Sequence, residues 1–375
     1  MPLNTIPNKG LTSRGYPSDR LVTPIIINGD MQVAQRGAGP SGTFAGSGYS
    51  EGPDRFRHGI ANLGTWQTSQ STDVPTGQGF SKSFKIALQS TDTSLGADDE
   101  AAINYRIEGQ NVQSLKKGTS NAESVTLAFW VKSTKTGTYI AEIFDADNSR
   151  TINKAYTISS ANTWEKKVIS YEGDTTGTLD NDNARSLQLN FWLGAGANAQ
   201  SGTLQTTWGT NTFANRAVGQ VNLADTASAE WYITGLQLEV GEFDSTTIPS
   251  FPFESFESNL RRCARYYQKV LDGSESSDAS FENFTSYNGP SVYSSHIYPM
   301  GEMRTAPSGV SSNNNNDFKF WTSGNAHYAD SVSFDHISKR GAWIYTTMKT
   351  SVTQGFSLFS AAEQTTTRCA FDAEL

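Results

Sequence analysis

A chain of 375 residues, 18% of them charged and 11% aromatic, with a formal charge of −8, is long enough for two modules that each bury most of their apolar surface. The acidic balance, with no cluster of Lys and Arg, excludes nucleic acid as a partner, because phosphate binding needs clustered cations. Two cysteines, Cys263 and Cys369, are too few for a disulfide framework or a zinc site and read as reduced thiols.

The first residues, MPLNTIPNKGL, have no basic start ahead of an apolar run, so no signal peptide is expected. Nothing approaches the ~18 consecutive apolar residues of a membrane span. Residues 1–44 are rich in Gly and Pro, broken by LVTPIIINGDMQVAQRG. They are expected to form an extended arm that attaches the chain to another protein, with a disordered leader as the alternative.

Strand signals recur over residues 45–248. In GFSKSFKIAL, period-two alternation sets Phe80, Phe84, Ile86 and Leu88 on one face. SVTLAFWVKS does the same with Val125, Leu127, Phe129 and Val131, and SLQLNFWLG with Leu187, Leu189, Phe191 and Leu193. TYIAEIF, TWEKKVISY and AEWYITGLQLEVG add further strands, separated by turn clusters such as STKTG, DADNS, GDTTG and DNDN. The pattern predicts a jelly roll or β-sandwich.

FPFESFESNLRRCARYYQKV, residues 251–270, is the one stretch that reads as a long helix. Phe253, Phe256, Leu260, Cys263, Tyr267 and Val270 recur at alternating spacings of three and four, a seam of coiled-coil type. Such a seam predicts self-association into a trimer, with a helix lying on its own sandwich as the alternative. LDGSESSDASF then links to a second strand-rich region, which includes SVYSSHIYPM, DFKFWTS, DSVSFDHIS and GAWIYTTMKT. Within it SSNNNN suits a solvent-facing tip.

The residue types available for chemistry argue against catalysis. His58, His296, His327 and His336 lack triad or metal-ligand spacing, so each reads as an ordinary surface or half-buried residue. Glycoside hydrolysis needs two facing carboxylates. The candidates Asp98–Asp99–Glu100, Asp145 with Asp147, and Asp180 with Asp182 all fall in turns, where Asp hydrogen-bonds its own backbone. No cofactor is expected, and calcium at DADNS or DNDN stays open because clustered oxygens suit that cation.

Carbohydrate is the ligand class that the polar sheet faces suggest. Gln188, Asn190 and Trp192 lie opposite the leucines of their strand, Thr126 and Trp130 occupy the corresponding face of SVTLAFWVKS, and Asn104, Arg106 and Glu108 that of AAINYRIEG. Amide, guanidinium and indole groups hydrogen-bond and stack on sugars. The alternative is that Trp130 and Trp192 complete a second core layer.

The ordered series NGDMQVAQRG, FRHGIANLGTWQTSQSTDVPTGQGFSKSFKI, RIEGQNVQSLKKGTS, SVTLAFWVKSTKTGTYI, DNDNARSLQLNFWL and WYITGLQLEVG resembles tail-fibre proteins of podoviruses that infect marine bacteria, including cyanobacteria, over about residues 28–270. The resemblance implies a jelly roll similar to carbohydrate-binding modules, trimeric assembly and a virion location. HIYPMGEMRTAPSGV is similar to a stretch common in the variable C-terminal tips of such proteins. No catalytic residue set carries over.

The expectation is an all-β, non-enzymatic protein. It has an attachment arm at 1–44, a jelly-roll β-sandwich at 45–248, a connecting helix at 249–272 on a trimer axis, and a second, sandwich-like β-domain at 273–375. Its expected role is that of a trimeric tail fibre whose C-terminal tip adsorbs to host polysaccharide or lipopolysaccharide, with Arg106, Trp130, Gln188, Asn190 and Trp192 as candidate ligand contacts. Other tail or capsid proteins would bind the arm. A virion part is made in host cytoplasm and released by lysis, so the missing export signal fits. The alternatives are a capsid-attached head fibre or decoration protein, and a polysaccharide depolymerase.

Overall fold

The computed structural model describes residues 23–272, 280–288, 292–311, 318–322, 325–349, 358–362 and 368–375. The first half of the expected arm, the linker after the helix and most of the SSNNNN stretch lie outside them. The alternating segments form strands β1 (Phe56–Ala61), β2 (Thr65–Ser71), β3 (Ser83–Ser90), β4 (Glu100–Glu108), β5 (Val125–Ser133) and β6 (Gly137–Asp145). β7 (Arg150–Ile158), β8 (Glu165–Tyr171), β9 (Arg185–Ala195), β10 (Gly209–Thr210) and β11 (Glu230–Val240) follow.

Two antiparallel sheets result, one of order β1-β4-β9-β6-β7-β10 and one of order β2-β3-β11-β5-β8. Phe84, Ile86 and Leu88 of β3, the alternate apolar residues of β5 and the four of β9 meet between the sheets in one core. Each such side chain contributes roughly 1.5–3 kcal/mol by leaving water. Phe80 precedes β3 and packs elsewhere, with ring centroids 5.1 Å from Phe251 and 5.2 Å from Phe253.

The described part of the expected arm is built into the body. Ile26 and Met31 join the sandwich core, and Ile27 and Val33 pack with Cys263 and Tyr266. Asn28 holds the segment: its backbone N–H donates to Asn259 Oδ1 at 2.9 Å, and its amide donates to Val33 O at 2.8 Å and Asp54 O at 3.0 Å. The run IIINGDMQV holds enough apolar surface to be buried, which overrides the Gly and Pro content around it.

The helix is also shorter than its seam suggests. It spans Phe256–Ala264, capped by Ser255, whose hydroxyl accepts from Ser258 N. Tyr267 and Val270 lie instead on β12 (Tyr267–Asp272), because this segment pairs with β20 (Arg368–Asp372). Aromatic residues suit a strand once a partner is present. The helix turns Asn259 and Cys263 to the protein's own interior, whereas Phe253 and Phe256 remain 53% and 58% exposed. A continuous coiled-coil seam is therefore not formed; the helix lies on its own chain.

The second module contains β13 (Ser280–Asn288), β14 (Val292–Ile297), β15 (Ser308–Ser311), β16 (Phe318–Thr322), β17 (Asn325–Ser338), β18 (Gly341–Met348) and β19 (Leu358–Ala362). Six of its strands close into a barrel of order β13-β14-β18-β17-β16-β19, and β12-β20-β15 form a separate small sheet. Phe284, Tyr293, Ile297, Phe318, Phe320 and Ile344 fill the core. Cationic residues tie the C-terminal segment to the sandwich. Arg36 pairs with Asp372 at 3.0 Å and Glu374 at 3.3 Å, and buried Arg55 pairs with Glu374 while its guanidinium lies 3.4 Å over the Tyr266 ring. Cys263 and Cys369 are buried free thiols, pushed up in pKa by burial.

His58 on β1 is buried, stacked on Phe44 with centroids 3.7 Å apart and bonded to Gly46 O and Ser50 Oγ. Burial, and after it the Arg57 charge, pushes its pKa from 6.5 down to about 4. Between those values the unfolded chain binds the proton and the folded chain does not. Stability from this group is thus full above pH 6.5 and is lost as pH falls through 4. Asp54, raised to about 6 by burial, shifts stability the opposite way, so the change in unfolding free energy between pH 7 and pH 4.5 in urea should differ by about 2 kcal/mol between the wild type and His58→Gln.

Candidate functional site

Cross-strand pairing places Arg57, Asn104, Asn190, Glu142 and Asn153 in one row over β1, β4, β9, β6 and β7. These side chains point away from the sandwich core, since they alternate with the apolar set. The row is wired together. Arg57 Nη1 donates to Asn104 Oδ1 at 3.2 Å, Asn104 Nδ2 to Asn190 Oδ1 at 2.7 Å, and Asn190 Nδ2 to Glu142 Oε2 at 3.0 Å. A side chain at Gly59 would meet Asn104 Oδ1 at 2.7 Å, so glycine there leaves room for the link.

Four of the expected ligand contacts sit on this face, but it is largely closed. Gln188, Asn190 and Trp192 are buried, and Arg106 is half-buried. Gln188 Nε2 donates to Asn190 Oδ1 at 2.6 Å, Trp192 Nε1 to Glu142 Oε2 at 2.9 Å, and Arg106 to Gln188 Oε1 and Leu375 O. Ala199, Ala217, Leu204 and Phe213, from the excursion between β9 and β11, cover Trp192. Trp192 thus belongs to a second core layer. Trp130 is half-buried on the other sheet and does not join the group. The side chains that would greet a sugar already hydrogen-bond one another.

The turn carboxylates are likewise engaged. Asp145 is wholly buried, with Lys117 Nζ at 2.5 Å, and the same ammonium lies 2.9 Å from Asp174 Oδ2, 3.1 Å from Thr176 O and 2.9 Å from Gly177 O. Against the burial that would raise it, hydrogen bonds from Arg150 and Lys117 hold the Asp174 carboxyl below its usual range. A lysine ammonium therefore stands where the DADNS oxygens suggested calcium. In the second acidic turn, Asp147 Oδ2 accepts from Asp180 N at 2.9 Å and Asp182 Oδ1 from Ala184 N at 2.9 Å. Asp99 accepts from Gly96 N at 2.6 Å. Among the described residues, no group of three or more His, Cys, Asp or Glu could hold a metal ion.

The barrel presents a different surface. β18 buries Ala342, Ile344, Thr346 and Met348 and turns Trp343 and Tyr345 outward. On β14, Tyr293 and Ile297 face the core, and His296 is exposed directly opposite Trp343. β17 sets Ser333 opposite Tyr345 and Asp335 opposite Trp343. The Trp343 ring lies 4.4 Å from His296, 5.4 Å from His336 and 5.8 Å from Tyr345, centroid to centroid. Beyond β14, Tyr298 is 69% exposed and stacks parallel to His296 at 6.5 Å.

Outward-facing rings, half-buried at Trp343 and Tyr345 and exposed at Tyr298, with hydroxyl, imidazole and carboxylate groups beside them make an amphipathic surface. It can stack on an apolar ring face and hydrogen-bond its edge. The sequence reading placed these strands but took His296 and His336 as ordinary residues. The signal available was the W-x-Y alternation of GAWIYTTMKT, which puts both large rings on one face.

No family model matches the sequence, and a comparison with curated proteins finds no match, so the podovirus resemblance stands on its motifs alone. Among solved structures, the chain is similar to the enzymatically active domain of bacteriophage CBA120 tailspike protein 4, at 13% identity and a TM-score of 0.30 over 58% of this chain and 21% of that one. It spans about a fifth of that tailspike chain. A putative sugar-binding protein from Bacteroides thetaiotaomicron is similar at 12% identity and a TM-score of 0.32, over 58% of this chain and all of the other. A family 11 carbohydrate-binding module of Clostridium thermocellum gives 12% and 0.26, over 58% and 95%. At such identities and scores the likeness assigns neither ligand nor activity.

Proposed function

We propose that this chain is a non-catalytic fibre subunit of a phage virion, whose C-terminal barrel binds a host-surface glycan through the face around Trp343. The observation that carries the reading is that aromatic face. Trp343, Tyr345, His296 and Tyr298 form one outward strip flanked by Ser333 and Asp335. A binder is favoured over a depolymerase because Asp145 is buried under Lys117 and Asp182 closes its own turn.

Self-association into trimers remains part of the proposal, through a surface patch. Exposed Phe256 lines a groove of about 300 Å³ with Val33, Ala34, Leu260 and Val270, and Phe253 is exposed nearby in the chain. Apolar surface of this kind favours a protein contact.

Binding of the full chain to host polysaccharide or lipopolysaccharide, read by surface plasmon resonance, tests the glycan reading. Trp343→Ala should weaken it by about ten-fold or more, as loss of a central aromatic anchor does, with the thermal unfolding midpoint kept. Undiminished binding in Trp343→Ala and in Tyr345→Ala would overturn the assignment of this face. Light scattering of the wild type and of Phe256→Ser addresses the trimer separately.

A further inference from the structure

A cavity of about 340 Å³ lies where residues 23–30, β11 and the segment entering the helix meet. It is distinct from the barrel face and independent of the function proposed above. β11 is irregular here: its register shifts between Thr234 and Gln237, Gly235 takes φ +62°, and Leu236 N–H donates to Gly29 O at 2.9 Å. A bulge bends a strand and re-aims its side chains. The apolar wall comprises Ile25, Ile26, Leu236, Leu238 and Phe251.

The polar lining is made mainly of acceptors. Gln237 is buried; its Nε2 donates to Pro249 O at 3.0 Å, while its Oε1 has no donor. Asp30 is buried and accepts from Asn259 Nδ2 at 3.0 Å, which occupies that donor. Glu254 lies at the lining with Arg262, whose guanidinium is directed to Glu254 and to Pro24 O at 2.5 Å. Three carboxylates, Asp30, Glu239 and Glu254, thus line the cavity, and Arg262 is committed to Glu254. An unfilled buried acceptor is costly, and a ligand N–H would fill it.

We propose that this cavity binds a small alkylammonium ion, its hydrocarbon chain against the Ile25–Leu238–Phe251 wall and its ammonium in the field of Asp30 and Glu254, with Gln237 Oε1 as an open acceptor. Charge complementarity selects this class. A carboxylate would meet like charges, and a neutral alcohol would leave them unanswered.

Calorimetric titration of the full chain with hexylammonium, hexanol and hexanoate tests the inference. Hexylammonium should bind about ten-fold more tightly than hexanol, with no saturable binding of hexanoate. Gln237→Met should weaken hexylammonium by about ten-fold. Glu254→Gln, at a partly exposed position, should weaken it by about three-fold while circular dichroism and the urea midpoint stay unchanged. Equal affinity for hexanol or hexanoate, unchanged affinity in both variants, or no saturable binding of hexylammonium up to about 10 mM would each overturn the proposal.

Discussion

Replacing Lys117 with methionine should lower the unfolding free energy of the sandwich by about 3–5 kcal/mol, the cost of leaving a buried charge without its partner. Lys117 and Asp145 are both buried, and the ammonium sits among four oxygens from Asp145, Asp174, Thr176 and Gly177. Methionine matches the stem but offers no donor. Arg150 would continue to satisfy Asp174 through bonds of 2.7 and 2.9 Å, so the deficit concentrates on Asp145 and the two carbonyls. Guanidinium unfolding followed by tryptophan fluorescence should show a lower midpoint at unchanged slope. A loss under about 1 kcal/mol would mean that the pair behaves as a surface ion pair and that water reaches it.

A loss of similar size, about 3–5 kcal/mol, is expected for Glu142→Ala. Glu142 is fully buried and accepts from Thr151 Oγ1 at 2.8 Å, Trp192 Nε1 at 2.9 Å, Asn190 Nδ2 at 3.0 Å and both arms of Arg216 at 2.7 and 3.0 Å. Alanine would strand an indole N–H, an amide and a guanidinium at once. Removing the cation as well, in Glu142→Leu with Arg216→Met, should recover at least about 1 kcal/mol, since replacing both partners by apolar groups costs less than orphaning one. The same measurement separates roles for this face. If glycan binding survives in the double variant, the network is a structural layer and the barrel carries recognition; if binding disappears while the fold persists, the sheet face contributes to the ligand site.

Alternation alone was enough to place β3, β5 and β9 of the sandwich, because the side of a strand on which a residue falls is a local property of period two, whereas β7 and β10 went unread. Leu187, Leu189, Phe191 and Leu193 reach the core as their pattern requires. The same pattern set Gln188, Asn190 and Trp192 on the opposite face, and that too is correct. What alternation does not carry is whether the opposite face is covered. Residues from the excursion between β9 and β11 return over Trp192, and Arg216 reaches back to Glu142 across 74 positions.

Long-range pairing also decided the helix. Its cap at Ser255 and its start at Phe256 follow from local chemistry, whereas its end follows from β12 pairing with β20 about a hundred residues later. Lys117 meets Asp145 and Asp174 through loops, with no periodicity to announce them. The aromatic strip arises likewise from the register of three barrel strands. Composition and alternation therefore determined the all-β character, many of the strands and which of their residues share a face. Tertiary structure alone decided which faces meet water, which charges pair and which rings gather, because each depends on segments brought together from distant parts of the chain.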